Sequence, residues 1–334
     1  MLSRVSDVFK VKNPQHKVVF AITSQGNDFY SAMTRVAVAS LRVSNPDLRV
    51  VIACDRESDE AMRQASDPLI GESDDWMVVE TPVGDAGFRN RYVKTSLRSL
   101  IDGPFLFLDS DIFVRGDLSE IFSLDCDIAG APNHSHKAFT EQIWDQDRAV
   151  LDLMGWEVGN EVYINGGVLF YNDTEGARRF AVEWHKRWLE SSYGRDCYRD
   201  QPALNSSLYF IKPKLVVLQD YYNAQIRISP AVAYDAKIWH YYSFVNNNPH
   251  TRFELQVKKL LCGASLGKDD VVDLVKSLHP WRRCSAIDDI IAFRIMKRNR
   301  FDGWEAAWLR RERWLSFQGS VTRLLARMKQ IISS

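Results

Sequence analysis

Long apolar runs are missing from this chain, which nowhere approaches the roughly 20 uninterrupted apolar residues a membrane-spanning helix needs. Its start, MLSRVSDVFKVKNPQHK, lacks the apolar core of a secretory signal, so a cytoplasmic location is expected. Cysteine is scarce: Cys54, Cys126, Cys197, Cys262 and Cys284 are odd in number, widely spread and without a CxxC pair. Neither a disulfide framework nor a zinc site is indicated, and reduced thiols are the default. The Asn-x-Ser/Thr matches at Asn133, Asn172 and Asn205 carry no weight in that compartment. Net charge is absent as well, with 43 basic residues against 43 acidic ones, and no nucleic-acid partner is expected. Internal repeats, low-complexity tracts and Gly/Ser linkers are also lacking.

The zero balance hides an asymmetry. Trp281 to Ser334 holds ten Arg and two Lys against five acids, an excess of seven positive charges that the remainder offsets. A basic tail of this kind points to something anionic, such as a phospholipid headgroup surface. With 334 residues, 46% of them hydrophobic, the chain is long enough to bury a full core. One catalytic-size domain over 1–250 and a helical, basic extension over 251–334 are expected.

The spacing predicts strands at Lys17 to Thr23, Arg49 to Cys54, Trp76 to Glu80 and Phe105 to Leu108. Helices at Tyr30 to Val43, near Glu57 to Ala65, and at Arg91 to Leu100 alternate with them. This rhythm implies a parallel, doubly wound α/β sheet resembling a nucleotide-binding half. Beyond it the pattern changes. Asp117 is placed to cap a short helix at Leu118 to Phe122, and Ile128 to Ala131 reads as a brief strand. Glu161 to Asn172 is a long strand-like segment interrupted by two glycines, after which Asp173 is placed to cap a helix reaching about Glu190. Lys214 to Leu218 and Lys237 to Tyr242 supply later strands, and helical signals run from about Thr251 onward.

The most informative stretch is FLFLDSD, Phe105 to Asp111. A strand sets residues i and i+2 on one face, so Asp109 and Asp111 point together at a strand's carboxyl end, where ligands of open α/β sheets collect. Two convergent carboxylates suggest a divalent cation, although Asp and Ser are also ordinary where a buried strand turns into a loop. Haloacid-dehalogenase-type phosphatases likewise follow an apolar strand with DxD. Their motif lies near the chain start and carries Thr or Val where Phe113 stands here, so that reading recedes.

Four segments taken in order resemble a nucleotide-sugar glycosyltransferase of the GT-A fold, most like the retaining family 8 group. They are RNRYVKTSLRSLIDGPFLFLDSDIFVRGDLSEIF, YINGGVLFYN, RDQPALN and IWHYY, all between Lys17 and Tyr242. The resemblance implies a mixed, Rossmann-like sheet that binds a UDP-sugar and transfers its hexose to a glycan or glycolipid acceptor with retention of configuration. Asp109 and Asp111 match the family's DxD metal ligands, Asp109 also reaching the donor ribose, and His240 matches its late metal-binding histidine. An imidazole beside two carboxylates favours Mn²⁺ over Mg²⁺. Asn165 and Gly167 match Asn-x-Gly at the donor sugar, with Gly166 in place of the usual Ala. Asp200 and Gln201 match the pair facing the anomeric carbon, Asp200 bonding the donor sugar and Gln201 lying beneath its reactive face. An amide is a feeble nucleophile, so the economical mechanism has the acceptor attack on the departing phosphate's own face while Gln201 stabilises oxocarbenium-like charge. Asp200 also reads as an ordinary helix cap. Ala21, Thr23 and Tyr30 lie where the family holds the uridine, Tyr30 as base stacker or as core packing. Arg91 and Lys94 resemble basic positions that pair with phosphate or with Asp109, or form a solvated helix face.

One departure stands out. The family pattern continues as His-x-x-Gly-x-x-Lys, and here Ser243 and Asn246 occupy those positions. The phosphate-clamping lysine is missing or replaced, with Arg252, Arg89, Arg91 and Lys94 as candidates. The gap keeps open a catalytically silent nucleotide- or carbohydrate-binding protein. A sugar-nucleotide pyrophosphorylase would need a Gly-rich basic loop after the first strand, and ITSQGNDFY has only Gly26 and no base. In the tail, Trp304, Trp308 and Trp314 lie among Arg310, Arg311 and Arg313. Val321, Leu324, Leu325, Met328 and Ile332 then recur at helical spacing. That pattern suits a peripheral membrane anchor, a helix docked on the catalytic domain, or a homodimer contact.

Overall fold

The computed structural model describes residues 16–134, 139–193, 195, 197–225, 236–242 and 252–277. The first half alternates as expected: β1 (Lys17–Ile22), α1 (Phe29–Ser44), β2 (Arg49–Asp55), α2 (Arg56–Gln64), α3 (Leu69–Glu72), β3 (Asp75–Val79), α4 (Ala86–Leu100) and β4 (Phe105–Leu108). In the VVFAI run of β1, Val18, Phe20 and Ile22 enter one apolar cluster with Leu106 and Leu108, while Val19 and Ala21 enter another with Phe105 and Phe107. A strand apolar on both faces belongs in the middle of a sheet covered by helices on both sides. Asp28 starts α1 by accepting from the Ser31 N–H. Asp85 does the same for α4 through the Phe88 N–H, so this helix begins five residues before Arg91.

After β4 the chain forms β5 (Ile112–Val114), a 3₁₀ turn at Ser119–Ser123, β6 (Ile128–Pro132), α5 (Phe139–Gln142), α6 (Asp145–Met154), β7 (Ile164–Tyr171), α7 (Glu175–Ser192), α8 (Gln201–Ile211), β8 (Leu215–Val217), β9 (Ala224–Gln225) and β10 (Ile238–His240). Two helices, α9 (Arg252–Leu261) and α10 (Lys268–Lys276), complete the described residues. The cap of α7 is Thr174, whose hydroxyl accepts from Ala177 N–H; Asp173, expected there, instead pairs with Arg178 and accepts from the Gly103 N–H.

The main sheet runs β3-β2-β1-β4-β7-β6-β8. Strands β1 to β4 are mutually parallel, β7 is antiparallel to both β4 and β6, and β8 is parallel to β6. The sheet is therefore mixed. Strand order reverses between β1 and β4, and a crevice at such a switch point, at the carboxyl ends of the strands, is where ligands of this architecture bind. A second sheet, β5-β10-β9, pairs His240 opposite Ile112. It returns a distant piece of chain to the end of β4.

Helices α9 and α10 dock on α1. Phe253, Val257, Leu260, Val271 and Leu274 share one cluster with Ala32, Met33 and Val36 of α1 and with Trp239 and Tyr241. The expected tail helices, including Trp304, Trp308, Trp314 and the positions from Val321 to Ile332, lie outside the described residues. No described helix is long and apolar enough to cross a membrane. The four described cysteines, Cys54, Cys126, Cys197 and Cys262, are all free thiols.

Candidate active site

A cavity of about 620 Å³ opens at the β1/β4 switch point, within the range of small-molecule sites. Every residue assigned to the site from sequence lines it: Ala21, Thr23, Tyr30, Arg91, Lys94, Asp109, Asp111, Asn165, Gly167, Asp200, Gln201 and His240. Segments far apart in sequence meet here because β1, β4 and β10 end on this side while β7 and α8 begin on it.

The two aspartates converge across the turn between β4 and β5 instead of on one pleated face. Each residue of that turn is tied down. The Asp109 N–H donates to Gly167 O at 2.9 Å, Thr34 donates to the Ser110 hydroxyl at 2.8 Å, and the Tyr241 N–H donates to Asp111 O at 2.8 Å. That last bond extends the β5–β10 pairing and fixes His240 beside Asp111. Ligand atoms of Asp109, Asp111 and His240 all lie within 4.8 Å of one another.

A chain of amides sets the histidine's tautomer. The Gly167 N–H donates to Asn165 Oδ1 at 2.9 Å, which fixes that end of Asn165 as oxygen. Asn223 Nδ2 donates to the same oxygen at 2.9 Å, so Asn223 Oδ1 faces His240 Nδ1, 2.7 Å away, and can only accept. Nδ1 therefore carries a proton, and Nε2 points to Asp111 Oδ1 at 3.2 Å. Asp111 Oδ1 is buried without a hydrogen-bond donor. A lone pair and a carboxylate oxygen at that separation want a cation between them, and a divalent metal and a proton compete for the place. Two hard carboxylate oxygens and one imidazole nitrogen are a donor set suited to a divalent cation. Burial opposes ionisation of Asp111; with a proton on Nε2, His240 joins Lys94 in outweighing it and holds that carboxyl below the usual range.

Lys94 is buried between two acids, its Nζ 3.2 Å from Asp109 and 2.9 Å from Asp200. Arg91 Nε lies 3.5 Å from the other oxygen of Asp200. Burial alone would raise the Asp200 pKa, yet these two cations hold it below the ordinary value. Asp200 makes no side-chain cap to α8; its carboxylate is turned into the cavity. Burial likewise works against the Arg91 guanidinium, and Asp200, Asp109 and Asp111 hold it charged. Of the other clamp candidates, Arg89 is paired with Asp55 at 2.7 Å and Glu57 at 2.9 Å, away from the cavity lining. The side chain of Arg252, and Ser243 and Asn246, lie outside the described residues.

Asn165 is fully engaged by protein. Besides its two acceptor bonds, its Nδ2 donates to Asn133 Oδ1 at 3.1 Å and to Gln201 Oε1 at 3.3 Å. At the nucleotide end, Ala21 and Thr23 close the cavity below half-exposed Tyr30, and Thr23 donates to Ala86 O at 3.1 Å. Sequence reading missed several wall residues: Asn133, Trp144, Asp147, Tyr198, Arg199 and Tyr242. Trp144 stacks on His134 with ring centroids 5.4 Å apart, and Tyr242 packs against it edge-on. Only Arg199, next to the DQ pair, carried a signal by position. Asn223, between aromatic and apolar neighbours, carried none.

Residues 103–251 match the model of the Glycosyl transferase family 8 family. Among solved structures, the galactosyltransferase LgtC in complex with donor and acceptor sugar analogs is similar at 19% identity and a TM-score of 0.50. The match covers 75% of this chain and 97% of that one. The glycosyltransferase GlyE of Streptococcus pneumoniae TIGR4 is 20% identical with a TM-score of 0.46, over 80% of this chain and 66% of its own. No curated protein sequence matches the chain significantly.

Proposed function

We propose that the chain is a GT-A-fold glycosyltransferase, most like those of family 8, that moves a hexose from a UDP-sugar to a glycan or glycolipid acceptor, with a divalent metal and with retention. The observation that carries the metal is the convergence of Asp109, Asp111 and the Nε2 of His240 around a buried carboxylate oxygen that has no donor. Asp109, Asp111 and His240 would hold Mn²⁺, which would supply Lewis-acid stabilisation of a diphosphate leaving group. Four carboxylates and three permanent cations line the described cavity, Asp109, Asp111, Asp147 and Asp200 against Arg91, Lys94 and Arg199. The wall on its own therefore leans negative and suits a cation better than a bare diphosphate.

The remaining roles follow from position. Tyr30 stacks on the base, with Ala21 and Thr23 beneath it. Arg91 faces the phosphates and stands in for the absent clamp lysine. Lys94 fixes Asp109 and Asp200 and keeps Asp200 ionised, and Asp200 holds donor hydroxyls. We assign Asn165 to holding the His240 tautomer through Asn223, and Gln201 to stabilising positive charge at the anomeric carbon while the acceptor attacks on the leaving group's face. A 1–250 catalytic unit and a 251–334 basic extension that meets an anionic membrane face or a second copy complete the proposal.

A thermal-shift panel of UDP, GDP, CMP and their sugars, each with Mn²⁺, Mg²⁺ or chelator, tests it. Metal-dependent stabilisation by UDP that disappears in Asp109→Ala and Asp111→Ala is expected. Stabilisation that survives both substitutions refutes the metal assignment, and slow release of UDP from a UDP-hexose separates an enzyme from a silent binder.

A further inference from the structure

Asp147 is a cavity-wall carboxylate that neither the metal set nor the Lys94 pair uses. It lies in the first turn of α6 and is fully buried. One oxygen accepts from Arg199 Nε at 2.5 Å. The other accepts from the Tyr163 hydroxyl at 3.3 Å and from Gln201 Nε2 at 3.4 Å. At the opposite end of the Gln201 amide, Oε1 accepts from Asn165 Nδ2 and from the Gly166 N–H, each at 3.3 Å. Reversing the amide would set its oxygen against a carboxylate and its nitrogen against two N–H donors. Both ends thus select one orientation.

We propose that Asp147 is a positioning residue that locks the Gln201 carboxamide with its oxygen on the Asn165–Gly166 side of the cavity. The inference rests on the proposed role of Gln201, since an amide oxygen stabilises positive charge only if its negative end is turned toward it. Asp147 also draws Arg199 onto the same wall, where the guanidinium sits 5.8 Å from the Trp144 ring. The charged and titratable groups facing Asp147 are Arg199, Tyr163 and Asp200. Burial raises the Asp147 pKa, Arg199 and Tyr163 oppose the rise, and Asp200 adds to it; the net direction is upward. Protonation on the acid side removes the charge that Gln201 Nε2 donates to, so turnover falls as pH falls through this group.

The test uses the full chain with Mn²⁺ and whichever of UDP-glucose, UDP-galactose and UDP-N-acetylglucosamine releases UDP fastest. Asp147→Asn is expected to lower kcat by about 10- to 100-fold, the cost typical of losing a supporting hydrogen bond behind an active-site group, with KM for the donor unchanged. In a Gln201→Ala background the same substitution should have no further effect. A wild-type kcat in D147N, or an equal loss in both backgrounds, overturns the assignment. Should D147N fail to fold, the wild-type pH profile decides. An acid limb lying above the ordinary carboxylate range of about 4 and absent from Q201A supports the role, and the same limb in Q201A overturns it. A wild type that releases no UDP refutes the proposed function itself, whereas an active wild type with an unaffected D147N refutes only the role of Asp147.

Discussion

Gly166 and Gly167 are adjacent and identical in sequence, yet a methyl group should be tolerated at one and ruinous at the other. A Cβ on Gly167 would stand 2.5 Å from His240 Cε1, 3.0 Å from Asp109 Oδ2 and 3.1 Å from Asn165 Oδ1. Carbon atoms pack at about 3.5–4.0 Å, so the imidazole would have to retreat by about 1 Å. Metal sites tolerate about 0.2 Å in ligand distance. The ring is also held at the neighbouring Nδ1 by Asn223, and overpacking of this kind costs about 1–3 kcal/mol. On Gly166 the nearest atoms are Lys94 Nζ at 3.4 Å and Asp200 Oδ2 at 3.5 Å, ordinary contacts. There the change from glycine removes backbone freedom in the unfolded chain and is expected to be neutral or stabilising by about 0.5–1 kcal/mol. The assay is the melting temperature with UDP, titrated with Mn²⁺. Ligand at 100 times its Kd stabilises by about 2.7 kcal/mol, and Gly167→Ala should lose that increment while Gly166→Ala keeps it. Equal metal responses in the two variants would refute the placement of Gly167 against the ligand set.

Three further outcomes follow from the same geometry. Asn223→Ala removes the acceptor that fixes His240 Nδ1 and should weaken Mn²⁺ binding by about 10- to 100-fold, read by calorimetric titration on a protein with an unchanged circular dichroism spectrum. Lys94→Met leaves Asp109 and Asp200 without their shared cation and should cost about 3–5 kcal/mol in urea denaturation; adding Asp200→Asn should recover part of it, and a simple sum of the two losses would argue against the shared pairing. The folded-state pKa of Asp200 is depressed, so its contribution to stability is present above the unfolded value of about 3.9 and is lost as pH falls through the folded one. Urea midpoints measured downward from pH 5 should drop more steeply in the wild type than in Asp200→Asn.

Much of the fold was legible because β1, β2 and β4 are apolar runs of strand length and α1 keeps helical spacing. The site was legible wherever chemistry demanded an unusual residue: a DSD after a buried strand, two glycines within another, a histidine among aromatics. Other features left no local trace. The strands β5 and β9 have three and two residues, too few for any period to register, and are set by pairing with β10. Gly87 weakens the start of α4 as a helix signal, whereas Asp85 capping at Phe88 restores it in three dimensions. Asp147 and Asn223 look like ordinary polar residues in sequence and gain meaning only from Gln201 and His240, which reach them through tertiary packing. Asp200 reads as a helix cap, but Lys94 and Arg91 draw its carboxylate the other way.

The small β5-β10-β9 sheet acts as a clasp. The chain leaves the metal site along β5 and comes back along β10 within one residue of where it departed, so all that lies between forms a loop whose two ends are stapled together. The loop carries Gly167 and Asn223, which brace Asp109 and His240 from inside it, so the ligand set is held both by the staple and by what the loop encloses. A change of length between β5 and β10 therefore reaches the cluster of Asp109, Asp111 and His240 through β7 or Asn223, and those two are the parts to keep when this region is exchanged between related chains.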